Sequence, residues 1–340
     1  AMKMPSFRRL AQILIILLIL LGSGGLKSHR SSLPSPLAGA TCSTPWSLPQ
    51  ARLKDHSLFA YQNYFYLVSI KIALPAQDER GEYTFAYART KDFCTWENLG
   101  TVLTFGAAGA ADEAYIWAPY VIQEGNLFFM FYTGVNQHIS QSIMLATSTN
   151  PADPKSWTKQ GVVFRPNHEG MVYPGPESWS DARDPMVLRY NNRYFLYYTG
   201  QDKTGGIVGV ALAETLSGPW RDLGAVLQLP PSLIPESPFV VAKDDFFYLY
   251  YNAAGAAANR LAGPQWQWSP SPFGPWQAPT KETLGWGHDF FFTGKAWLAS
   301  YIIGNGEALG VKQIDWDQTQ FPPHPLLGQQ GFLPLVWNAR

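Results

Sequence analysis

Asp55, Asp184 and Glu236 are the residues of this chain best placed to do chemistry, because each heads a short apolar strand at one distance from an aromatic one. Asp55 lies ten residues before Phe65, Asp184 ten before Tyr194 and Glu236 ten before Phe246. Trp117 stands ten before Leu127, and His288 nine before Trp297. The slot therefore holds Asp, Trp, Asp, Glu and His. Carboxylates that converge suit acid–base work. One protonates a leaving oxygen while another activates water or attacks carbon, as glycosidic bond cleavage requires. A third carboxylate beside the acid disfavours its ionisation and keeps it protonated near the working pH. Glu236 and Asp184 suit that pairing. The rival use of the same residue types is a hard cation held by carboxylates and a histidine.

What must position these residues is a repeat. Its clearest copy runs from Arg183-Asp184-Pro185 through a turn at Asn191-Asn192 to an aromatic strand ending at Gly200, a β-hairpin signal. The aromatic strands are expected at Tyr64–Ile70, Leu127–Gly134, Tyr194–Gly200, Phe246–Asn252 and Trp297–Ile303. Third strands follow at Thr84–Arg89, Ser142–Ser148 and Ile207–Glu214. Each unit trails off at a tryptophan: Trp96, Trp157, Trp220, Trp276 and Trp316. The tryptophans are 61, 63, 56 and 40 residues apart. Helical periodicity is nearly absent. Five strand-only units of this size predict an all-β, five-bladed β-propeller. A β-sandwich would leave five tryptophan-ended units unexplained. In a propeller the first strand of each blade lines the central channel, so residues at the strand heads converge at one end of the axis.

Composition bounds the rest. Lysine plus arginine equal aspartate plus glutamate at 25 each, so nothing suggests electrostatic capture of nucleic acid. Aromatics are 15% of the 340 residues, enough for a large core and for stacking on sugar rings, though sheets favour aromatics anyway. Lys3, Arg8 and Arg9 precede an apolar run from Leu10 to Leu21, broken by Gly22-Ser23-Gly24-Gly25. This reads as a signal peptide or an N-terminal membrane anchor over residues 1–25, with export as the expected fate, periplasmic or extracellular. Residues 26–50 read as a linker and lead-in strand, 51–317 as the propeller, and 318–340 as a tail packing on it or closing it. Cys42 and Cys94 are a candidate disulfide in an exported chain, or two buried thiols.

The strand-head motifs resemble those of glycoside hydrolase family 43. They are Asp55 before Ser57-Leu58, Trp117-Ala118-Pro119, Arg183-Asp184-Pro185, Glu236-Ser237-Pro238 and Gly287-His288. The resemblance spans roughly residues 50–317 and implies a secreted glycosidase of polysaccharide degradation, acting on arabinan- or xylan-type glycans. It implies Asp55 as general base, Glu236 as general acid and Asp184 as the residue that tunes and orients the acid. Trp117 would line the sugar site. His288 would match an axial histidine that contacts a metal ion or ordered water, which leaves Ca2+ or another cation at the axis as an expectation, with no cofactor required. The family inverts configuration, so Asp55 and Glu236 should sit about 6.5–9.5 Å apart. Lys54-Asp55-His56 departs from the family's usual His-Asp-Pro. The Arg-Asp-Pro form is also similar to the retaining fructosidases of family 32, whose first-blade Asn-Asp-Pro-Asn is missing here. A carbohydrate-binding propeller without catalysis is the reading from another class.

Arg183 is expected to pair with a carboxylate or a sugar hydroxyl, and Trp286 to stack on sugar or fill the core. Asp289 could orient His288 or point the other way along its strand. Asp112, Glu113, Glu177 and Asp181 are expected as solvated loop charges, and His56, His138 and His168 as surface or turn residues. The expected partner is a carbohydrate, not nucleic acid, and the chain is expected as a monomer.

Overall fold

The computed structural model describes residues 45–76, 78, 80–168, 182–255, 262–281 and 285–314. The expected signal segment, Cys42, Glu177, Asp181, Trp316 and the tail from 318 lie outside the described residues. Among the described residues the one helical piece is a 3-10 turn at Pro154–Ser156. The rest is five antiparallel sheets, each a meander of consecutive strands.

Blade one comprises β1 (Ala51–Tyr61), β2 (Tyr64–Ala73), β3 (Thr84–Thr90) and β4 (Trp96–Thr104). Blade two comprises β5 (Tyr115–Glu124), β6 (Leu127–Val135), β7 (Ser142–Ser148) and β8 (Thr158–Phe164). Blade three comprises β9 (Arg183–Tyr190), β10 (Arg193–Asp202), β11 (Gly205–Ala213) and β12 (Arg221–Gln228). Blade four comprises β13 (Ile234–Lys243), β14 (Phe246–Ala254), β15 (Gly263–Ser269) and β16 (Thr280–Lys281). Blade five has three strands: β17 (Trp286–Phe292), β18 (Trp297–Ile303) and β19 (Ala308–Ile314). The fold is the five-bladed β-propeller that the repeats predict.

Two-residue turns join the first two strands of blades one to four. Gln62, Asn191, Asn192 and Asp244 take positive φ there, between 50° and 58°, which matches the right-handed twist of the strands they join. In blade five the turn lengthens, with Phe292 pairing Trp297 across four residues.

The core lies between blades, because a single meander cannot bury both of its faces. One buried cluster joins blades one and two through Phe59, Tyr66, Tyr87, Phe128 and Trp157. A second joins blades two and three around Phe131, Leu145 and Tyr198. A third spans blades three to five around Tyr197, Tyr250 and Phe290. The fourth joins blades five and one through Leu53, Phe65, Leu298 and Ile302. Phe59 stacks on Tyr66 with centroids 5.4 Å apart and meets Phe128 at 5.6 Å. Truncating such a ring costs about 3–5 kcal/mol.

The ring closes through the N-terminal segment. Trp46 pairs with Leu309 through two backbone hydrogen bonds of 2.9 and 2.7 Å, on the edge of β19 away from β18. Leu53 N donates to Gly306 O at 2.8 Å, tying β1 to the β18–β19 turn. Cys94 is disulfide-bonded, and the Trp46 and Trp96 rings lie 5.4 Å apart.

Candidate active site

The inner strands β1, β5, β9, β13 and β17 each carry a bulge near their start. Pairing passes from Lys54↔Ile70 to His56↔Ser69 in blade one. It passes from Trp117↔Thr133 to Tyr120↔Phe131 in blade two and from Arg183↔Thr199 to Met186↔Tyr197 in blade three. In blades four and five it passes from Glu236↔Asn252 to Phe239↔Tyr250 and from Trp286↔Ile302 to Asp289↔Ser300. Every inner strand therefore has one residue more than its partner, which bends it and re-aims its side chains. Ala118, Asp184, Ser237 and Gly287 sit at the bulge with φ of 43°, 56°, 50° and 61°. For the three that are not glycine this is backbone strain of order 1 kcal/mol or more, the kind stored at functional sites.

The single slot expected from ten-residue counting is two positions. By backbone pairing Lys54, Trp117, Arg183, Glu236 and Trp286 are equivalent, and Asp55, Ala118, Asp184, Ser237 and Gly287 follow them. His288 belongs one residue further on, with His56, Pro119, Pro185 and Pro238. The count slips because Phe65 and Tyr194 are second in their strands, whereas Leu127 and Phe246 are first.

All five residues of the first set line one cavity of about 110 Å³, together with Asp55, Asp184 and Ser237 of the second. Arg80 and Glu82, from the connection between β2 and β3, complete its wall. The structure thus brings together Asp55, Asp184, Glu236, Trp117, Arg183 and Trp286. Lys54, Arg80, Glu82 and Ser237 are additional members. Lys54 and Ser237 flank the motifs and are recoverable once the bulge is recognised. Arg80 and Glu82 carry no periodic signal.

The polar side chains form one network. Arg183 Nη2 donates to Glu236 Oε1 at 2.7 Å, and its Nε lies 3.5 Å from Asp184 Oδ2. Asp184 Oδ2 also accepts from Ser237 N at 2.9 Å and Thr199 Oγ1 at 3.2 Å. Thr133 Oγ1 accepts from Asp184 N at 2.9 Å, which holds the bulge of blade three against blade two. Ser237 Oγ donates to Asp55 Oδ1 at 2.6 Å. Ser237 therefore links two carboxylates, through its main chain and its hydroxyl. Burial, then the Asp184 carboxylate, push Asp55 up to about 7, against the Lys54 charge and the Ser237 hydrogen bond, which pull it down.

Aromatic rings lead out of the cavity. Trp117 lies parallel to Tyr115 at 6.2 Å, Tyr115 to Tyr83 at 5.6 Å, and Tyr83 meets the exposed Phe105 at 5.5 Å. Asp78 accepts from the hydroxyls of both Tyr83 and Tyr115, and so sets the two rings. The Arg80 guanidinium stands 5.6 Å over the Trp117 ring. Trp286 is anchored by Nε1 donating to Gly304 O at 3.0 Å.

His288 is on a different level. It lines a second cavity of about 30 Å³ with His56, Pro119, Pro185 and Pro238, beneath Asp55 and Asp184. That volume suits about one water molecule. Burial pushes His288 down to about 4. Burial and the neighbouring His288 push His56 down to about 3, so both rings are neutral at pH 7. His288 Nε2 has no hydrogen-bond partner among the described residues. Ca2+ takes roughly six to eight oxygen ligands, and among the described residues no group of three His, Cys, Asp or Glu side chains gathers as a metal site. Two neutral imidazoles and three prolines, with Asp55 and Asp184 above them, line this level, short of the oxygen set such a cation takes.

Three expectations change, and one open alternative is decided. His56 is buried on the axis, with Nε2 2.7 Å from Ser300 Oγ, because it follows the bulge instead of a turn. Asp112 is 2% exposed and bound to Lys159 Nζ at 2.6 Å and Tyr132 Oη at 3.0 Å, so it is a buried ion pair and not a solvated charge. His168 is half-buried against Asp222, Nδ1 to Oδ2 at 2.7 Å. Asp289 points to blade one, accepting from Leu58 N at 2.5 Å, and does not orient His288.

The profile of glycosyl hydrolases family 43 matches residues 50–287. The chain belongs to that family. Over 165 residues it is 27% identical to a probable arabinan endo-1,5-alpha-L-arabinosidase D of Emericella nidulans, covering 48% of this chain and 40% of that protein. Over 140 residues it is 25% identical to extracellular endo-alpha-(1->5)-L-arabinanase 1 of Bacillus subtilis, covering 38% of this chain and 42% of that one. The matches thus span less than half the length of these relatives. An endo-arabinase structure from Bacteroides thetaiotaomicron VPI-5482 superposes with a TM-score of 0.60 at 15% identity, over 82% of this chain and 100% of that one. At that identity the likeness is one of fold.

Proposed function

We propose that this family 43 propeller hydrolyses glycosidic bonds in arabinan- or xylan-type poly- or oligosaccharides, with inversion. The observation that carries the reading is one cavity at which carboxylates from blades one, three and four meet between Trp117 and Trp286. Glu236 protonates the leaving oxygen. Arg183 occupies its Oε1, which leaves the other oxygen for the glycosidic bond. Asp55 takes a proton from the attacking water. Asp184, held by Ser237 N, Thr199 and Arg183, presents a fixed negative charge beside the acid. The rings from Trp117 to Phe105 give the bound glycan a path beyond the cleaved bond, since sugar faces pack on aromatic rings. The Lys3-to-Gly25 segment, the disulfide at Cys94 and the extracellular Bacillus relative support export.

The test is a panel of aryl glycosides and arabinan, xylan and fructan oligomers, with proton NMR of the first product. Release of an inverted pentose-containing product is expected. A retained anomer would indicate a fructosidase-like enzyme. Saturable binding without reducing-end release would indicate a carbohydrate-binding propeller and overturn the assignment.

A further inference from the structure

Among the five equivalent residues that precede the bulges, blades one and three supply cations, and each cation is tied to a carboxylate. Arg183 is tied to Glu236, inside the proposed machinery. Lys54 is tied to Glu82, which the proposed mechanism does not use. Lys54 Nζ reaches Glu82 Oε1 at 2.5 Å, and the Glu82 side chain is only 3% exposed. Both residues line the catalytic cavity. A buried carboxylate is costly unless paired, so Glu82 is a fixed anchor and Lys54 is held where Glu82 places it.

The charges facing Asp55 show what that placement does. From β9 come Asp184 and Arg183, from β13 Glu236, and from the β2–β3 connection Arg80 and Glu82. His56 and His288 lie beneath and are neutral at pH 7. Arg183 is engaged with Glu236 and Asp184, and Arg80 stands over the Trp117 ring. Of the two cations on Asp55's own strand, Arg52 and Lys54, it is Lys54 that lines the cavity.

We propose that Lys54 and Glu82 are positioning residues: Glu82 fixes the Lys54 ammonium beside Asp55, and that ammonium lets Asp55 ionise among the other carboxylates of the cavity. The inference rests on the hydrolase reading for its kinetic consequence, but not for its electrostatic one. Burial and Asp184 hold Asp55 near 7, and Lys54 is the first of the influences pulling it back. In return the charges of Glu82, Asp55 and Glu236 raise Lys54 above the ordinary lysine value, outweighing its burial.

The experiment has two readouts on the full chain. The first is the acidic limb of the kcat/KM profile. The second is a carbon-13 carboxyl NMR titration of Asp55, assigned by its loss in Asp55→Asn. Lys54→Gln should move both midpoints up by about one pH unit, a roughly tenfold loss of kcat/KM at pH 6 with little change above about pH 9. Lys54→Arg should restore the parent midpoint. Glu82→Gln frees the Lys54 ammonium from its anchor, so both midpoints should again move up, by less than in Lys54→Gln. If Lys54→Gln unfolds the chain by stranding Glu82, the double variant Lys54→Gln/Glu82→Gln removes that liability and should still titrate above the Glu82→Gln variant. Unmoved midpoints, or midpoints that Glu82→Gln moves down, would overturn the proposal. NMR midpoints that move as expected in a chain that cleaves no glycoside would uphold it and sink the hydrolase reading instead.

Discussion

The two levels of the axial channel are built from the same five strands, two residues apart, yet they differ in kind. The upper level holds Lys54, Trp117, Arg183, Glu236 and Trp286, no two neighbouring blades alike. The lower holds His56, Pro119, Pro185, Pro238 and His288, three prolines and two neutral imidazoles. Identical backbone pairing therefore delivers chemistry at one level and packing at the next. The bulge between them is what lets five similar hairpins present five different functional groups without altering the core.

If this contrast is right, changes at the upper level should cost activity and changes at the lower level should cost stability. The largest expected effect is in Glu236→Gln and Asp184→Asn. Each should lower kcat/KM by about 10²–10⁴-fold, with melting temperature and circular dichroism close to the parent. Near-normal turnover in either would dissolve the comparison.

Next in size is the pH profile. With Asp55 held up to about 7, kcat/KM should rise with pH along an acidic limb near 7, where an ordinary aspartate would place it near 4. Ser237→Ala removes the hydroxyl that donates to Asp55 and so favours its protonated form. The limb should move to higher pH, measured as initial rates across a buffer series. A limb that stays put would remove Ser237 from the site.

At the lower level the readout is stability. His56 and His288 are pushed down to about 3 and about 4. Between their folded values and the ordinary value near 6.5, the unfolded chain binds protons that the folded chain does not. Stability should therefore fall as pH falls from about 6.5 to 4. A His56→Gln/His288→Gln variant should lose much of that slope in urea melts, whatever its overall stability. The smallest effect is expected at the rim. Tyr83→Ala should raise KM for a polymeric substrate about three- to tenfold, a change of about 1 kcal/mol, and leave small aryl glycosides unaffected.

Much of this was legible in the sequence, for identifiable reasons. Trp297–Ile303 and Ser142–Ser148 coincide with observed strands, and the other expected strands differ by a few residues at their ends. Apolar alternation and turn residues report directly on hairpins. Asp184 and Glu236 were readable because a proline follows at or just after the bulge, so Arg-Asp-Pro and Glu-Ser-Pro stand out. The bulge itself was not readable. It adds one residue on one strand only, so counting along the chain merged two positions and moved His288 up a level. Glu82 and Arg80 were missed because a connection between strands has no period. The burial of Asp112 was missed because its partners Lys159 and Tyr132 lie 47 and 20 residues away.

The pairing of Trp46 with Leu309 joins residues 263 positions apart in sequence. Synthesis makes the Trp46 segment first and its mate in blade five last, so the segment must wait unpaired while four blades form. Until it docks, the Leu309 amide and carbonyl on the edge of β19 lack that partner, and unpaired groups on a strand edge are a template on which strands from other molecules add. Closing the ring is thus also a safeguard against self-association: a chain shortened past Trp46 should keep its carboxylate cavity but gain an open edge, and pair with its own kind.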